Sequence, residues 1–234
     1  MRPLLLLVLF LSLSACKSQS DLNNTNITPS ETIVSSTPPF QTKEPERYRA
    51  TRVVTVTFPN GEAIVTKTSI ARDGDLRRNE PETSSKLVAY LDLPEGRLVL
   101  LPEEKVYADL TAEIDVATID EEEFTPERLL HTDTESTSYQ KLGSEVIGRR
   151  NSIKYRVVVN NSAAGNVPRS ETLIWIDEAL KIPIRSETKS AEGTRITTEL
   201  TDISLDVDKR IFQVPDGYEK IALTDFRKRI TKPK

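Results

Sequence analysis

The chain has 234 residues, with 32 Lys and Arg against 36 Asp and Glu, a formal charge of −4, 37% hydrophobic residues, one His and one Cys. A mildly acidic chain with its cations dispersed argues against nucleic acid as a partner and against an electrostatic grip on anionic lipid. A single cysteine excludes a disulfide within the chain, and with one histidine it leaves the usual thiol, imidazole and zinc centres without their parts.

Met1 and Arg2 form a minimal positive segment, and Pro3 to Leu13 an apolar run of signal-peptide length. A transmembrane helix needs about 20 apolar residues, which this run lacks. Leu13-Ser14-Ala15-Cys16 follows directly and resembles the bacterial lipobox: an aliphatic residue, two small ones that fit the lipoprotein signal peptidase, and the cysteine that receives diacylglycerol. The resemblance implies an exported chain, cleaved before Cys16 and held by acyl chains on that residue without spanning the membrane. An ordinary signal peptide cut after Ala15 is the alternative. Removing residues 1–15 takes away Arg2 and no acid, so the formal charge moves from −4 to −5. Lys17, where an aspartate would stand for inner-membrane retention, resembles the enterobacterial pattern of sorting to the outer membrane, facing the periplasm.

Residues 16–45 read as the lipidated cysteine and a disordered tether, because Ser, Thr, Asn, Pro and Glu dominate and too little apolar surface is present to offset chain entropy. The sequons at Asn23 and Asn26 carry no function in a bacterial chain. Residues 46–222 have the size of one domain with a core of its own, and residues 223–234 read as a basic C-terminal tail.

Within the domain the period is two. Arg47 to Phe58 places Val54, Val56 and Phe58 on one side and Thr51, Thr55 and Thr57 on the other, the pattern of a half-buried strand. Asn60-Gly61 then predicts a hairpin into Ala63 to Ala71, and Arg72 to Asp75 the next reversal. Lys86 to Leu93, Arg97 to Leu101 and Val106 to Leu110 form a meander joined by Pro94-Glu95-Gly96 and Pro102 to Lys105. A helix is expected at Thr125 to Leu130, with Thr125 as N-cap and Pro126 at the first helical position. Strands resume at Tyr139 to Ile147, Ile153 to Asn160, Glu171 to Ile176, Ile182 to Thr188 and Arg195 to Ile203. The fold class is therefore mainly β (α+β): a strongly curved antiparallel sheet of eight to eleven strands, with one or two helices laid against it.

Leu142 to Arg150 followed by Lys154-Tyr155, Leu173-Ile174-Trp175-Ile176-Asp177 with Lys181 to Ile184 behind it, and Ile211 to Tyr218 together resemble the second half of the LolA-like superfamily. That resemblance covers about Tyr48 to Ile221. It implies an unclosed β-barrel whose concave face is covered by helices and encloses a hydrophobic cavity. The superfamily includes lipoprotein-sorting carriers, a receptor, regulators of sigma factors and other envelope proteins, so the fold alone does not assign a role.

Enzyme constellations are missing: no G-x-S-x-G, no phosphate-cradling glycine loop and no H-E-x-x-H occurs, and no cofactor is implied. His131 reads as a helix C-terminal or surface residue. Asp120-Glu121-Glu122-Glu123 lacks the spaced ligands of a calcium loop and reads as a solvated acidic lead-in. Leu98 to Leu101 and Leu173 to Ile176 are apolar on both strand faces, as in a sandwiched strand or one that lines a cavity. Val54, Val56, Phe58, Tyr155, Val157 and Trp175 are the candidate lining for a lipid, a lipoprotein acyl chain or an apolar partner segment. The competing expectation is a structural envelope lipoprotein with a filled core and no ligand.

Overall fold

Alternation of apolar and polar residues builds one long sheet. The computed structural model describes residues 34–82, 87–111, 137–159 and 170–231, all within one compact unit, Thr32–Lys234. The signal segment, Cys16, the acidic run 120–123 and the helix expected at 125–130 lie outside the described residues.

Thirteen strands form the sheet among the described residues. They are β1 (Val34–Ser35), β2 (Arg47–Thr57), β3 (Ala63–Asp73), β4 (Leu76–Glu82), β5 (Ala89–Leu93), β6 (Gly96–Leu101), β7 (Val106–Asp109), β8 (Thr137–Ile147), β9 (Arg150–Val159), β10 (Ser170–Asp177), β11 (Pro183–Lys189), β12 (Arg195–Ser204) and β13 (Glu219–Lys220). Their spatial order is β1-β8-β9-β10-β11-β12-β2-β3-β4-β5-β6-β7-β13. Two meanders, β8 to β12 and β2 to β7, are thus fused where β12 pairs β2, and the curved sheet does not close. The pairing is antiparallel throughout except for β13 against β7. Register shifts at Lys141/Gly143, Trp175/Ile176 and Thr201/Ser204 interrupt the ladders, and bulges of this kind add local twist and bend.

The strand count exceeds the expected eight to eleven, because β1 and β13 are two-residue strands and β4 (LRRNEPE) carries almost no apolar residue. Two boundaries are corrected as well. The tether does not run to residue 45: β1 pairs β8, Phe40 packs against Tyr139 and Tyr155, and the Glu44 side chain is buried among Tyr48, Arg72 and Arg77. Nor is the C-terminus a free basic tail. Leu223, Phe226 and Ile230 recur at helical spacing, and Leu223–Thr231 is a helix, α1, whose Phe226 is buried with Val88, Val99, Leu101, Val106, Ala108 and Leu110.

Residues paired across antiparallel strands point to the same side, so the register sorts the sheet into two faces. One carries Tyr139, Tyr155, Val157 and Ile174 in the first meander and Val99, Leu101, Val106 and Ala108 under α1 in the second. The other carries Ala89, Leu91 and Leu100, which pack with Val214 and Tyr218 of the C-terminal segment, and Ala71, which packs with Val207 and Phe212. No described helix is long and apolar enough to cross a membrane.

Candidate functional site

The six expected lining residues divide between the two faces. Two neighbouring rows hold four of them. The first runs Tyr155, Ile174, Ser186, Thr198, Val54, Thr66, and the second Tyr139, Val157, Thr172, Thr188, Ile196, Val56, Ile64. Phe58 follows β2 on the same alternation, at the tip of the β2–β3 hairpin.

The rows are buried at the β8–β10 end and more exposed at the β12–β3 end. At the β8–β10 end Tyr155 and Val157 are buried with Tyr139, Ile174 and Ile176 under Phe40, and the Thr172 and Thr188 hydroxyls meet at 2.9 Å in the middle. Beyond them Val54 and Val56 are half-buried, while Ile196 is 45%, Ile64 56% and Phe58 36% exposed. The sheet face is therefore closed by side chains on β8–β10 and open on β12, β2 and β3.

Trp175 is not brought to this face. It pairs with Lys154 and Arg185, whose cations lie 4.7 and 5.1 Å from its ring centroid. Its indole Nε1 donates to Glu145 Oε2 at 2.6 Å, and Lys154 Nζ reaches Glu145 Oε1 at 3.0 Å. The Trp175 hydrogen bond and then Lys154 hold the Glu145 carboxyl below the usual glutamate range. The two cations lie over the ring, and Trp175 is buried in the apolar cluster that also holds Ile182, Ile184 and Leu200.

Ile64 and Ile196, absent from the expected set, flank Val56 in the open row. Ile64 was accessible to reasoning: a hairpin closed by Asn60-Gly61 with Thr57 opposite Ala63 places Val56 opposite Ile64. Ile196 required the long-range β12–β2 pairing.

The opposite face of the same central strands forms a cleft of about 690 Å3 beneath the segment 208–215. Its floor is two rows of register partners, Arg49, Ala71, Arg78 and Thr51, Ser69, Glu80. The small side chains of Thr51, Ser69 and Ala71 create the hollow, and the longer ones rim it. Val207 and Phe212 are buried and fix the overlying segment, helped by Arg47 donating to the Val207 carbonyl and Arg78 NH1 to the Ile211 carbonyl at 2.6 Å. Among the described residues, no group of three metal-ligating side chains forms.

No protein-family model matches the chain, and no curated protein matches it in sequence. Solved structures similar to it include MucB in the Pseudomonas aeruginosa MucA/MucB complex, with 11% identity over 71% of this chain and 55% of that one, at a TM-score of 0.44. A LolA superfamily protein from Nitrosomonas europaea matches with 11% identity over 71% of this chain and 90% of its own, at 0.31. LprF from Mycobacterium bovis matches with 11% identity over 74% and 90%, at 0.33. The likenesses thus run to LolA-superfamily proteins, and the chain spans only about half the length of that MucB.

Proposed function

We propose that the chain is an exported lipoprotein, anchored to the outer membrane through acyl chains on Cys16 and facing the periplasm, whose sheet is a non-catalytic binding domain for an apolar ligand. That ligand is a lipid, a lipoprotein acyl chain or an apolar segment of a partner. The lipobox supports the anchor. The open end of the apolar rows, where Val54 and Val56 lie between exposed Ile196, Ile64 and Phe58, supports the binding surface. An apolar face half covered by its own chain and half open offers area whose removal from water favours association, at roughly 25 cal/mol per Å2 before the costs of binding.

Two measurements test the reading separately. The mass of the N-terminal peptide from membrane-purified protein is expected to begin at Cys16 and carry acyl chains; an unmodified thiol refutes the anchor. A fluorescent fatty-acid analogue is expected to bind the Cys16→Ser protein and to lose most of that binding on Val56→Asp. The packing of Tyr155 and Val157 favours the second reading, a structural lipoprotein with a filled core. Absence of uptake by the parent protein decides for it.

A further inference from the structure

The cleft beneath residues 208–215 lies on the face opposite the apolar rows and takes no part in the reading above. Its volume of about 690 Å3 falls within the range typical of small-ligand sites, and its charges show what it selects. Three cations and three anions line it. Arg78 is committed to Glu80, with Nε donating to Oε1 at 2.5 Å, and to the Ile211 carbonyl. Arg210 is committed to Asp208, Nε donating to Oδ2 at 2.9 Å and NH2 at 2.5 Å.

Two charges remain. Arg49 has no ion-pair partner among the described residues, although it faces a cleft that also holds carboxylates. Asp202 accepts the Thr201 hydroxyl at 3.1 Å and likewise meets no cation. Asp202 occupies the bulge between Thr201 and Ser204 with φ of +53°, a left-handed conformation that costs an L-residue energy and that bulges use to re-aim a side chain. The two residues come from adjacent strands and lie on the same side of the Thr51–Thr201 pair, Arg49 opposite Ser204 and Asp202 in the bulge that leads to it.

We propose that this cleft is a binding site for a small zwitterion of amino-acid or dipeptide size, with Arg49 taking the carboxylate and Asp202 the ammonium. An anion alone would confront Asp202, and a cation alone would confront Arg49. A molecule carrying both charges satisfies the neighbouring Arg49 and Asp202 at once, and the Thr51 and Ser69 hydroxyls in the adjoining row supply neutral hydrogen-bonding partners. Ile211 and Pro215 give the roof an apolar stretch for the ligand's side chain. The internal pairs Arg78–Glu80 and Arg210–Asp208 hold the walls without competing for it, so little reorganisation accompanies entry.

The test is calorimetric titration of the full-length protein in detergent with L-alanyl-L-leucine, its N-acetyl form and its C-terminal amide. Saturable binding of the free dipeptide is expected, weakened about tenfold or more by blocking either end, the scale of one charge-assisted hydrogen bond. Arg49→Gln should abolish the preference for the free carboxylate over the amide, and Asp202→Asn the preference for the free ammonium over the acetylated form. No saturation up to about 10 mM, or equal binding of all three forms by the wild type, overturns the proposal even if a variant fails to fold. Variants that fold and retain both preferences overturn the assignment of Arg49 and Asp202.

Discussion

Glu44 ties the segment preceding β2 to the sheet, and its removal is the sharpest test of where the domain begins. The buried carboxylate accepts four hydrogen bonds: Tyr48 Oη at 2.8 Å and Arg77 NH1 at 2.9 Å on Oε1, Arg72 NH1 at 2.8 Å and Arg77 NH2 at 2.6 Å on Oε2. Glu44→Ala removes this acceptor from Arg77 and Tyr48 and from Arg72, whose Nε keeps its bond to the Gly74 carbonyl. Removing one member of a buried ion pair costs roughly 3–5 kcal/mol. Arg77 is about one-third exposed and rewets, so about 2–4 kcal/mol is expected here. For a domain of this size that is a fall of about 5–15 °C in Tm, readable by urea denaturation and calorimetry. A cost below about 0.5 kcal/mol, the scale of an ordinary surface change, would refute the packing of residues 34–45.

The same carboxylate sets a pH dependence. Burial pushes the Glu44 pKa up, but hydrogen bonds from Arg77 and Tyr48 and the charges of Arg77 and Arg72 outweigh it and leave it below the ordinary 4.5. A depressed carboxylate contributes stability above its unfolded pKa and loses it as pH falls through the folded value. Wild type should therefore lose part of its advantage over Glu44→Gln below about pH 4.5, and a constant difference down to pH 2 would contradict the assignment.

Other substitutions probe the closed end of the apolar rows. Val157 is 4% exposed among Tyr139, Tyr155 and Ile174, so Val157→Asn buries an unpartnered amide and should cost about 3 kcal/mol in denaturant titration; a loss under about 1 kcal/mol would mean that the site is wet. Phe40 meets Tyr139 edge-on at 5.8 Å and Tyr155 at 4.7 Å, and as it is only half-buried, Phe40→Ala should cost about 2 kcal/mol. Limited proteolysis of that variant should open new sites between residues 34 and 45, whereas an unchanged digestion pattern would place the anchoring elsewhere.

Where neighbours in sequence become neighbours in space, the fold was legible. Asn60-Gly61 announces β2 and β3 together with their register, and Pro94-Glu95-Gly96 the turn from β5 to β6. Strand β4 was not legible: its Arg78 and Glu80 sit in the sheet because they pair with each other and because Arg78 donates to the Ile211 carbonyl, 133 residues away. Residues 34–45 were misjudged for the same reason. Their polar composition suggested a tether, but Glu44 is neutralised by Arg72 and Arg77, 28 and 33 residues on. The helix α1 is a different failure, since Leu223, Phe226 and Ile230 already showed helical spacing beneath a basic composition.

For the candidate site, alternation sorted the residues of each strand but not of different strands relative to one another. Tyr155 and Trp175 looked like members of one lining, yet Trp175 lies opposite Lys154, so the two side chains leave the sheet in opposite directions. The same geometry makes the two binding readings separable in β2. Val54 and Val56 serve the apolar face, while Arg49 and Thr51 serve the cleft, all within eight consecutive positions. Val56→Asp should therefore reduce fatty-acid uptake and leave dipeptide binding intact, and Arg49→Gln should do the reverse. Loss of both ligands on either change would mean that β2 transmits distortion through its backbone and that the two faces do not act as independent surfaces.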